Sequence, residues 1–319
     1  MTVSATRPSV LAAFVNYDGA PMTLAAVTSL RQQLGAVGVR IVVVDNGSTP
    51  ADVEALTAGL PGGVSLVLLK TNRGYGAACN AAARIAAESG IPYVWWLNND
   101  LTFETGASDA LLAHMEATPT VAAAGAVTVD EETGRRVLGA GMDLTLWRGR
   151  VRHRHTGIDV KQLPSQPYSV DVISASCILV RVSALRVIGG IDEGYFMYSE
   201  DVDWSVRARA AGFGLDIVPR ARARHGGARS SKPQDRLRYM MRNRIRMVRA
   251  RAGLAVQLAF MGYFVVGWLP AYTVGRLMPR FGLREGLLLA LSPLTWNVRD
   301  ALRYRRWRLR PEDLVIPRF

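Results

Sequence analysis

Through the first hundred residues, short apolar runs of strand length alternate with longer stretches patterned as helices. Val10–Val15, the β-branched run RIVVV (Arg40–Val44), Val64–Leu69 and Tyr93–Leu97 read as strands, Pro21–Gln33 and the alanine-rich Ala77–Glu88 as helices. Strands apolar on both faces and separated by helices predict a parallel, doubly wound α/β sheet with both faces covered. Such sheets bind ligands outside the carboxyl ends of their strands. That rule sets Asn16, Asp45, Asn72 and Asp100 along one edge.

From Val121 to Val187 the apolar segments shorten and are broken by Gly, Arg and Pro. Val170–Arg181 and Leu215–Val218 still read as strands, while the basic loop Arg148–His155 and the stretch Lys161–Pro167 suit a mobile acceptor-side region. Beyond about Arg236 the pattern changes again. A basic helix (RLRYMMRNRIRMVRAR) precedes Leu254–Gly275, nearly free of charge, then Arg276, Arg280 and Arg284 and the apolar Gly286–Leu294. Leu254–Gly275 is long enough to cross a bilayer, which takes about 20 apolar residues. Its glycines, Pro270 and arginines on both flanks point instead to helices lying in the membrane interface, arginines against anionic lipid. The chain therefore divides into an α/β domain over 1–235 and a helical, membrane-associating extension over 236–319.

A chain of 319 residues with 49% hydrophobic content can bury one large core. Cys79 and Cys177 lack metal-type spacing and fit a reducing, cytoplasmic setting. Ser9–Val15 is too short for a signal sequence, with Asn16, Tyr17 and Asp18 directly after it. The net charge of +13 favours polyanionic partners: nucleic acid, anionic lipid or a phosphate-bearing substrate. Arginine is dense over 220–251 and 299–310, but these runs flank an apolar segment rather than interleave with aromatics on a nucleic-acid module, so lipid is favoured and nucleic acid is not expected.

Candidate chemistry concentrates in GGIDEGYFMYSEDVDWSVRAR (Gly189–Arg209), where Asp192, Glu200, Asp201 and Asp203 accompany aromatics ahead of a helix. Backbone N–H groups at a helix start hold a carboxylate ionised, as a general base requires. A cap with Ser199 at its head and acids in the first turn is the plainer reading. Asn98-Asn99-Asp100 releases one acid at a strand end, suited to Mg²⁺ or Mn²⁺ shared with a diphosphate, or simply an Asx turn. Asp45 stands where an acid commonly meets a nucleotide's sugar or base, or where Asp-Asn-Gly makes a turn. Thr71–Asn80 (TNRGYGAACN) matches the dinucleotide fingerprint poorly, since Cys79 takes the third glycine. It reads as a substrate-facing loop of Asn72, Arg73 and Gly74, with Arg73 toward phosphate, or as a glycine turn. His225 suits a metal or diphosphate contact, although a lone His is more often structural. Arg242, Asn243 and Arg244 suit phosphate or a solvated helix face.

Five blocks occur in one order: VVVDNGS, LKTNRGYGAACN, WWLNNDLTFETGA, SCILVRVSALRVIGGIDEGYFMYSEDVDWSVRARAAGF and the downstream His225. Over roughly Val10–Arg251 they resemble the family-2 inverting glycosyltransferases with a GT-A fold, closest to rhamnosyltransferase-like enzymes of cell-envelope polysaccharide assembly. The resemblance implies a nucleotide-sugar half over about 1–120 and an acceptor half over about 121–235. It implies Asn16 and Asp45 on the donor nucleoside, with Asn72, Arg73, Gly74 and Asn99 about the donor. Asp100 binds the divalent metal as the last acid of a degenerate Asp-x-Asp motif whose first acid is Asn98, and His225 lies near the metal and diphosphate. Asp201 is the general base, Glu200 and Asp203 shape the acceptor site, Trp204 packs below it and Arg242 meets phosphate. The implied donor is dTDP-rhamnose, with a UDP-sugar second; the acceptor is a glycan or polyprenyl-linked sugar at the inner face of the cell membrane. A nicotinamide oxidoreductase and an inactive relative are the rivals, the first opposed by the glycine pattern and the second by Asp201.

Overall fold

β1 (Val10–Asn16) is buried along its whole length because it runs between two strands and under helices on both faces. The computed structural model describes residues 9–35, 38–226 and 233–304. The arginines of 305–310 and the end of the 223–231 segment lie outside the described residues.

After β1 come α1 (Ala20–Gln33), β2 (Val39–Asp45), α2 (Pro50–Gly59), β3 (Ser65–Leu68), α3 (Tyr75–Glu88) and β4 (Tyr93–Asn98). The helix α2 begins with Pro50 in its first turn, where a missing N–H costs nothing. β3, β2, β1 and β4 stand in that order and are all parallel. The order reverses at β1, opening the crevice that binds ligands in open α/β sheets between the ends of β1 and β4.

The second half is mixed. It contains β5 (Leu101–Phe103), α4 (Ala107–Ala117), β6 (Val121–Asp130), β7 (Val137–Gly139), the hairpin β8 (Met142–Thr145) and β9 (Arg150–His153), β10 (Tyr168–Ser169), β11 (Cys177–Arg181) and α5 (Val182–Ile188). α6 (Glu200–Ala210) and β12 (Gly214–His225) follow. β11 inserts antiparallel between β4 and β6, β12 runs parallel to β6, and β5 folds back antiparallel onto the end of β12. Val170–Arg181 is therefore not one strand: 170–176 leaves the ladder before β11 begins.

The two faces of the sheet bury separate apolar layers, as full burial of both strand faces requires. Adjacent tryptophans divide between them. Trp95 meets Phe103 edge-on at 5.2 Å, and Trp96 meets Trp204 at 6.0 Å on the opposite face. Each such ring contributes about 1.5–3 kcal/mol by leaving water.

α7 (Pro233–Arg251) leads into α8 (Leu254–Phe281), a 28-residue helix long and apolar enough to cross a membrane, and α9 (Leu283–Tyr304). A boundary at 235/236 falls inside α7, whose buried face packs under α6 and the loop before it. α8 carries a ladder of rings at four-residue spacing, Phe260, Phe264, Trp268 and Tyr272, with neighbouring centroids 4.6–5.2 Å apart. Its other side leaves Leu254, Leu258, Val266 and Val274 exposed.

Candidate active site

The segment Ser174–Ser176, which sequence reasoning passed over, joins three of the predicted blocks. The Ser176 carbonyl accepts from the Asn98 amide at 2.9 Å, and the Tyr75 hydroxyl donates to the Ala175 carbonyl at 2.7 Å. The Ala175 amide donates to Asp201 Oδ2 at 3.3 Å. The turn with Asp100, the glycine loop and the Glu200–Asp201 pair thus meet at the carboxyl edge of the sheet. The only signal in the sequence was polarity, SAS inside an otherwise apolar run.

Glu200 and Asp201 open α6 behind a loop in which Phe196, Tyr198 and Ser199 all take left-handed backbone angles (φ 64°, 68° and 67°). Ser199 stands at the N-cap position with Glu200, Asp201 and Asp203 in the first turn, but its side chain makes no cap bond. Instead the Val202 amide donates to Asp201 Oδ1 at 2.8 Å. Burial raises both carboxyls above their ordinary values, and Glu200, further opposed by the charge of Asp201, is pushed up to about 8. For Asp201 the backbone amides of Ala175 and Val202 work against the burial. Glu200 Oε2 is buried and makes no hydrogen bond among the described residues. Two adjacent carboxyls in a poorly solvated site retain a proton between them, which poises the pair to exchange protons near neutral pH.

Asp203 and Trp204 face the interior. Asp203 is fully buried and accepts from Tyr195 Oη, Arg207 and Arg251, so its oxygens are committed to the fold and not to a substrate. Burial alone would raise its carboxyl, but Arg207 and Arg251 outweigh it and hold Asp203 below its usual range. Trp204 lies in the core beneath, its indole N–H on the Gly189 carbonyl at 3.1 Å.

The donor-side residues gather as expected, but several face inward. Asn16 is completely buried and donates to Asp45 Oδ1 at 2.8 Å and Asp52 Oδ2 at 2.8 Å, while its carbonyl accepts from Thr23. Asp45 Oδ2 takes the amides of Gly47 and Ser48, and Oδ1 takes Asn16 and the Ser48 hydroxyl. Each Asp45 oxygen already accepts two bonds, so in this arrangement Asn16 and Asp45 brace the 45–48 loop. Asn99 Nδ2 turns to Thr23 at 3.0 Å and joins the same network. Tyr17, 40% exposed, stands at the open end of β1.

Asn46 pins the glycine loop. Its amide reaches Asn72 Oδ1 (3.1 Å) and the Gly74 carbonyl (3.0 Å), and its carbonyl accepts from the Arg73 amide. Gly74, at φ +89°, passes so close to Phe196 that a Cβ would sit 2.1 Å from its carbonyl oxygen. Arg73 is well exposed and paired with Glu193 at 2.6 Å. On α7, Arg242 donates to the carbonyls of Gly194 and Tyr195, Asn243 is buried against the same loop, and Arg244 lies over the rings of Trp268 and Phe264 at 4.4 and 5.2 Å. In this arrangement the donors of Arg242 and Asn243 meet main-chain carbonyls, and the Arg244 guanidinium meets rings and the Arg148 carbonyl.

Asp100 and His225 meet where β5 pairs with β12. Asp100 Oδ1 and His225 Nε2 are 3.1 Å apart, yet both are buried and neither makes a hydrogen bond of acceptable geometry among the described residues. Two ligands on neighbouring corners of an octahedral ion, each about 2.1 Å from it, stand about 3 Å apart, so the pair fits a shared cation. Among the described residues no third His, Cys, Asp or Glu joins them, which leaves the remaining positions to phosphate or water.

The profile of Glycosyl transferase family 2 matches residues 9–189. The chain belongs to that family. An N-acetylglucosaminyl-diphospho-decaprenol L-rhamnosyltransferase of Mycobacterium tuberculosis is 33% identical over 210 residues, 60% of this chain and 68% of that protein. Two solved structures share the fold at low identity. The mannosyltransferase PcManGT of Pyrobaculum calidifontis, in complex with GDP-Man and Mn²⁺, has a TM-score of 0.55 and 16% identity, covering 98% of this chain and 86% of that one. GalNAc-T7, with UDP, GalNAc and Mn²⁺, has a TM-score of 0.60 and 13% identity, covering 93% of this chain; the family-2 chain spans 58% of its length. The fold is GT-A-like and the chain is a rhamnosyltransferase-like glycosyltransferase.

Proposed function

We propose that this glycosyltransferase moves a sugar, with L-rhamnose from dTDP-rhamnose as the best match, to a hydroxyl of a lipid-linked or glycan acceptor in cell-envelope polysaccharide assembly. The transfer is read as metal-dependent and inverting, at the cytoplasmic face of the membrane with α8 and α9 lying in the interface. Support for rhamnose and a lipid-linked acceptor is the name of the M. tuberculosis relative, and for Mg²⁺ or Mn²⁺ the Mn²⁺ in both structural neighbours. The observation that carries the reading is the 174–176 segment, which sets Asp201 beside the strand end that bears Asp100.

In this reading Asp201 takes the proton of the acceptor hydroxyl, whose oxygen attacks the anomeric carbon from the side opposite the nucleotide. Glu200, held protonated at neutral pH, leaves the single pair charge on Asp201. Asn72 and Gly74 hold the loop that presents Arg73 to the donor diphosphate, and the Asn16–Asp45 network holds the loop beneath the nucleoside. A divalent ion on Asp100 and His225 would supply stabilisation of charge on the departing diphosphate. One displacement inverts the anomeric centre without a covalent nucleophile.

The test is nucleoside-diphosphate release from a panel of sugar nucleotides with Mg²⁺ or Mn²⁺ and membrane extract as the acceptor source. Release from dTDP-rhamnose, lost in Asp201→Asn and on chelation, is expected. Release from a UDP-sugar instead would move the assignment to the second donor, and release unchanged in the variant would remove Asp201 as base.

A further inference from the structure

The tip of the β8–β9 hairpin is wedged against the C-terminal helices. Gly149, at φ +54°, packs so closely that a Cβ would lie 2.9 Å from the ring of Phe260 and 3.0 Å from Arg244 and Val248. Arg244 closes the turn by donating through Nε to the Arg148 carbonyl at 3.1 Å. The tip therefore keeps a fixed place beside the first turns of α8.

Two arginines on this tip lack acidic partners. Arg148 and Arg150 are exposed, and among the described residues neither reaches a carboxylate, because the nearby Asp143 is taken by Arg152 and Arg154. Arg148 lies over the rings of Trp147 (4.5 Å) and Tyr263 (5.7 Å). Trp147 is itself 43% exposed, and Leu254 and Leu258 at the start of α8 are 71% and 65% exposed. Arg150 adds its charge to that of the partly buried Arg244, whose pKa falls through burial first and, among the remaining effects, through Arg150. Uncompensated guanidiniums beside an exposed indole and exposed leucines suit a ligand that is anionic at one end and aliphatic at the other.

The other end of β9 is His153, paired with Met142, which in turn bridges Val172 at the start of the segment whose Ala175 amide meets Asp201. At about 3.3 Å per residue, Arg150 and His153 are separated by about 10 Å along the strand. That is the reach of a sugar ring and the diphosphate attached to it. We propose that Arg148 and Arg150 bind the diphosphate of an isoprenoid-diphosphate-linked acceptor, with its lipid chain along the exposed face of α8 and its sugar hydroxyl at Asp201. The site rests on the lipid-linked branch of the function proposed above.

The experiment titrates geranyl diphosphate, a soluble isoprenoid diphosphate, into the full chain by calorimetry, for the wild type and for Arg148→Ala/Arg150→Ala. The expected result is at least tenfold weaker binding by the variant, partly restored in Arg148→Lys/Arg150→Lys, with unchanged thermal melting. Equal affinity in wild type and variant overturns the site. So does a variant that loses only its binding to phosphatidylglycerol vesicles, which would make the tip a general headgroup contact. Binding is read without turnover, so an arginine-dependent site in a protein that transfers no sugar to a lipid-linked acceptor would fail the function and leave the site standing. Transfer to such an acceptor with binding and KM unmoved by the substitutions would fail the site alone.

Discussion

The side-chain amide of Asn243 on α7 donates to the Tyr198 carbonyl at 2.7 Å, immediately before the left-handed Ser199 and the acidic pair. The same nitrogen lies 3.0 Å from the Tyr195 carbonyl and 2.8 Å from that of Met197. Left-handed angles at non-glycine residues cost about 1–3 kcal/mol each and persist only where surroundings enforce them. One buried amide, with Arg242 beside it, supplies that enforcement, and two ion pairs, Arg246–Asp192 and Arg251–Asp203, fasten α7 below and above the loop.

Asn243→Ala is therefore expected to let Glu200 and Asp201 shift by a fraction of an ångström to an ångström. Displacements of that size lower turnover by about 100-fold. Donor affinity, set on the other side of the crevice, should hold. Asn243→Asp should be worse, since a carboxylate would face three carbonyl oxygens. Steady-state kinetics with donor titration checks this, and a loss confined to donor affinity would refute it.

Asp201→Asn keeps the shape and the Val202 contact but cannot take a proton. General-base removal costs about 10²–10⁴-fold in turnover. Because burial raises the Asp201 carboxyl, the pH profile of the wild type should climb with rising pH as Asp201 ionises while Glu200 keeps its proton. In Asp201→Asn that limb should vanish from the residual activity. A limb that survives with its midpoint unmoved would place the titration elsewhere.

Glu200 makes a separate prediction about stability. Its folded-state value of about 8 exceeds its ordinary 4.5, so between those values the folded protein holds more protons than the unfolded chain. Stability should fall as pH rises through that window. Glu200→Gln removes the titration, so its melting temperature should match the wild type below about pH 4.5, gain on it through the window and level off above about 8. Melting curves across pH check the sign; a gain largest in acid would contradict it.

The parallel half of the fold was legible because burial of both faces leaves no polar position inside a strand, so RIVVV and YVWWLN announce themselves. Val170–Arg181 was misread for the same reason: an apolar run marks burial but not pairing, and 170–176 is buried as a crossing segment. The site blocks were legible by order and spacing, but the direction each side chain faces was not. Asp45 and Asp203 look like ligand acids in sequence, yet one is spent on amides and the other on arginines. Asn243 stood in a basic helix that reads as solvated, and its partners are main-chain carbonyls 45 to 48 positions away, which no periodicity reveals.

Asp100→Asn and His225→Ala should each raise the Mn²⁺ concentration for half-maximal activity by at least about tenfold, the scale on which even the outer partners of metal ligands act. The Asp100→Asn variant keeps volume and loses charge, which separates ligation from packing. If the pair were a structural ion pair, both variants would lower the melting temperature while the Mn²⁺ requirement stayed put. Metal titration beside melting curves distinguishes the two.

Gly74 is where the donor loop and the base loop touch, so it couples the two halves of the site. An alanine there brings a Cβ 2.1 Å from the Phe196 carbonyl oxygen and must also adopt φ +89°. The backbone alone costs about 1–3 kcal/mol, and the clash can be relieved only by moving Phe196, next to the residues Asn243 holds. The Tyr75 amide bond to the Phe196 carbonyl, 2.9 Å, would lengthen with it. Gly74→Ala is therefore expected to weaken donor binding and turnover together, unlike Asn243→Ala, which should lower turnover alone. Combining the two should cost less than the sum of their separate effects, because both displace the same 196–199 segment. A double-mutant cycle on kcat and donor affinity measures this; strict additivity would mean that the two loops move independently.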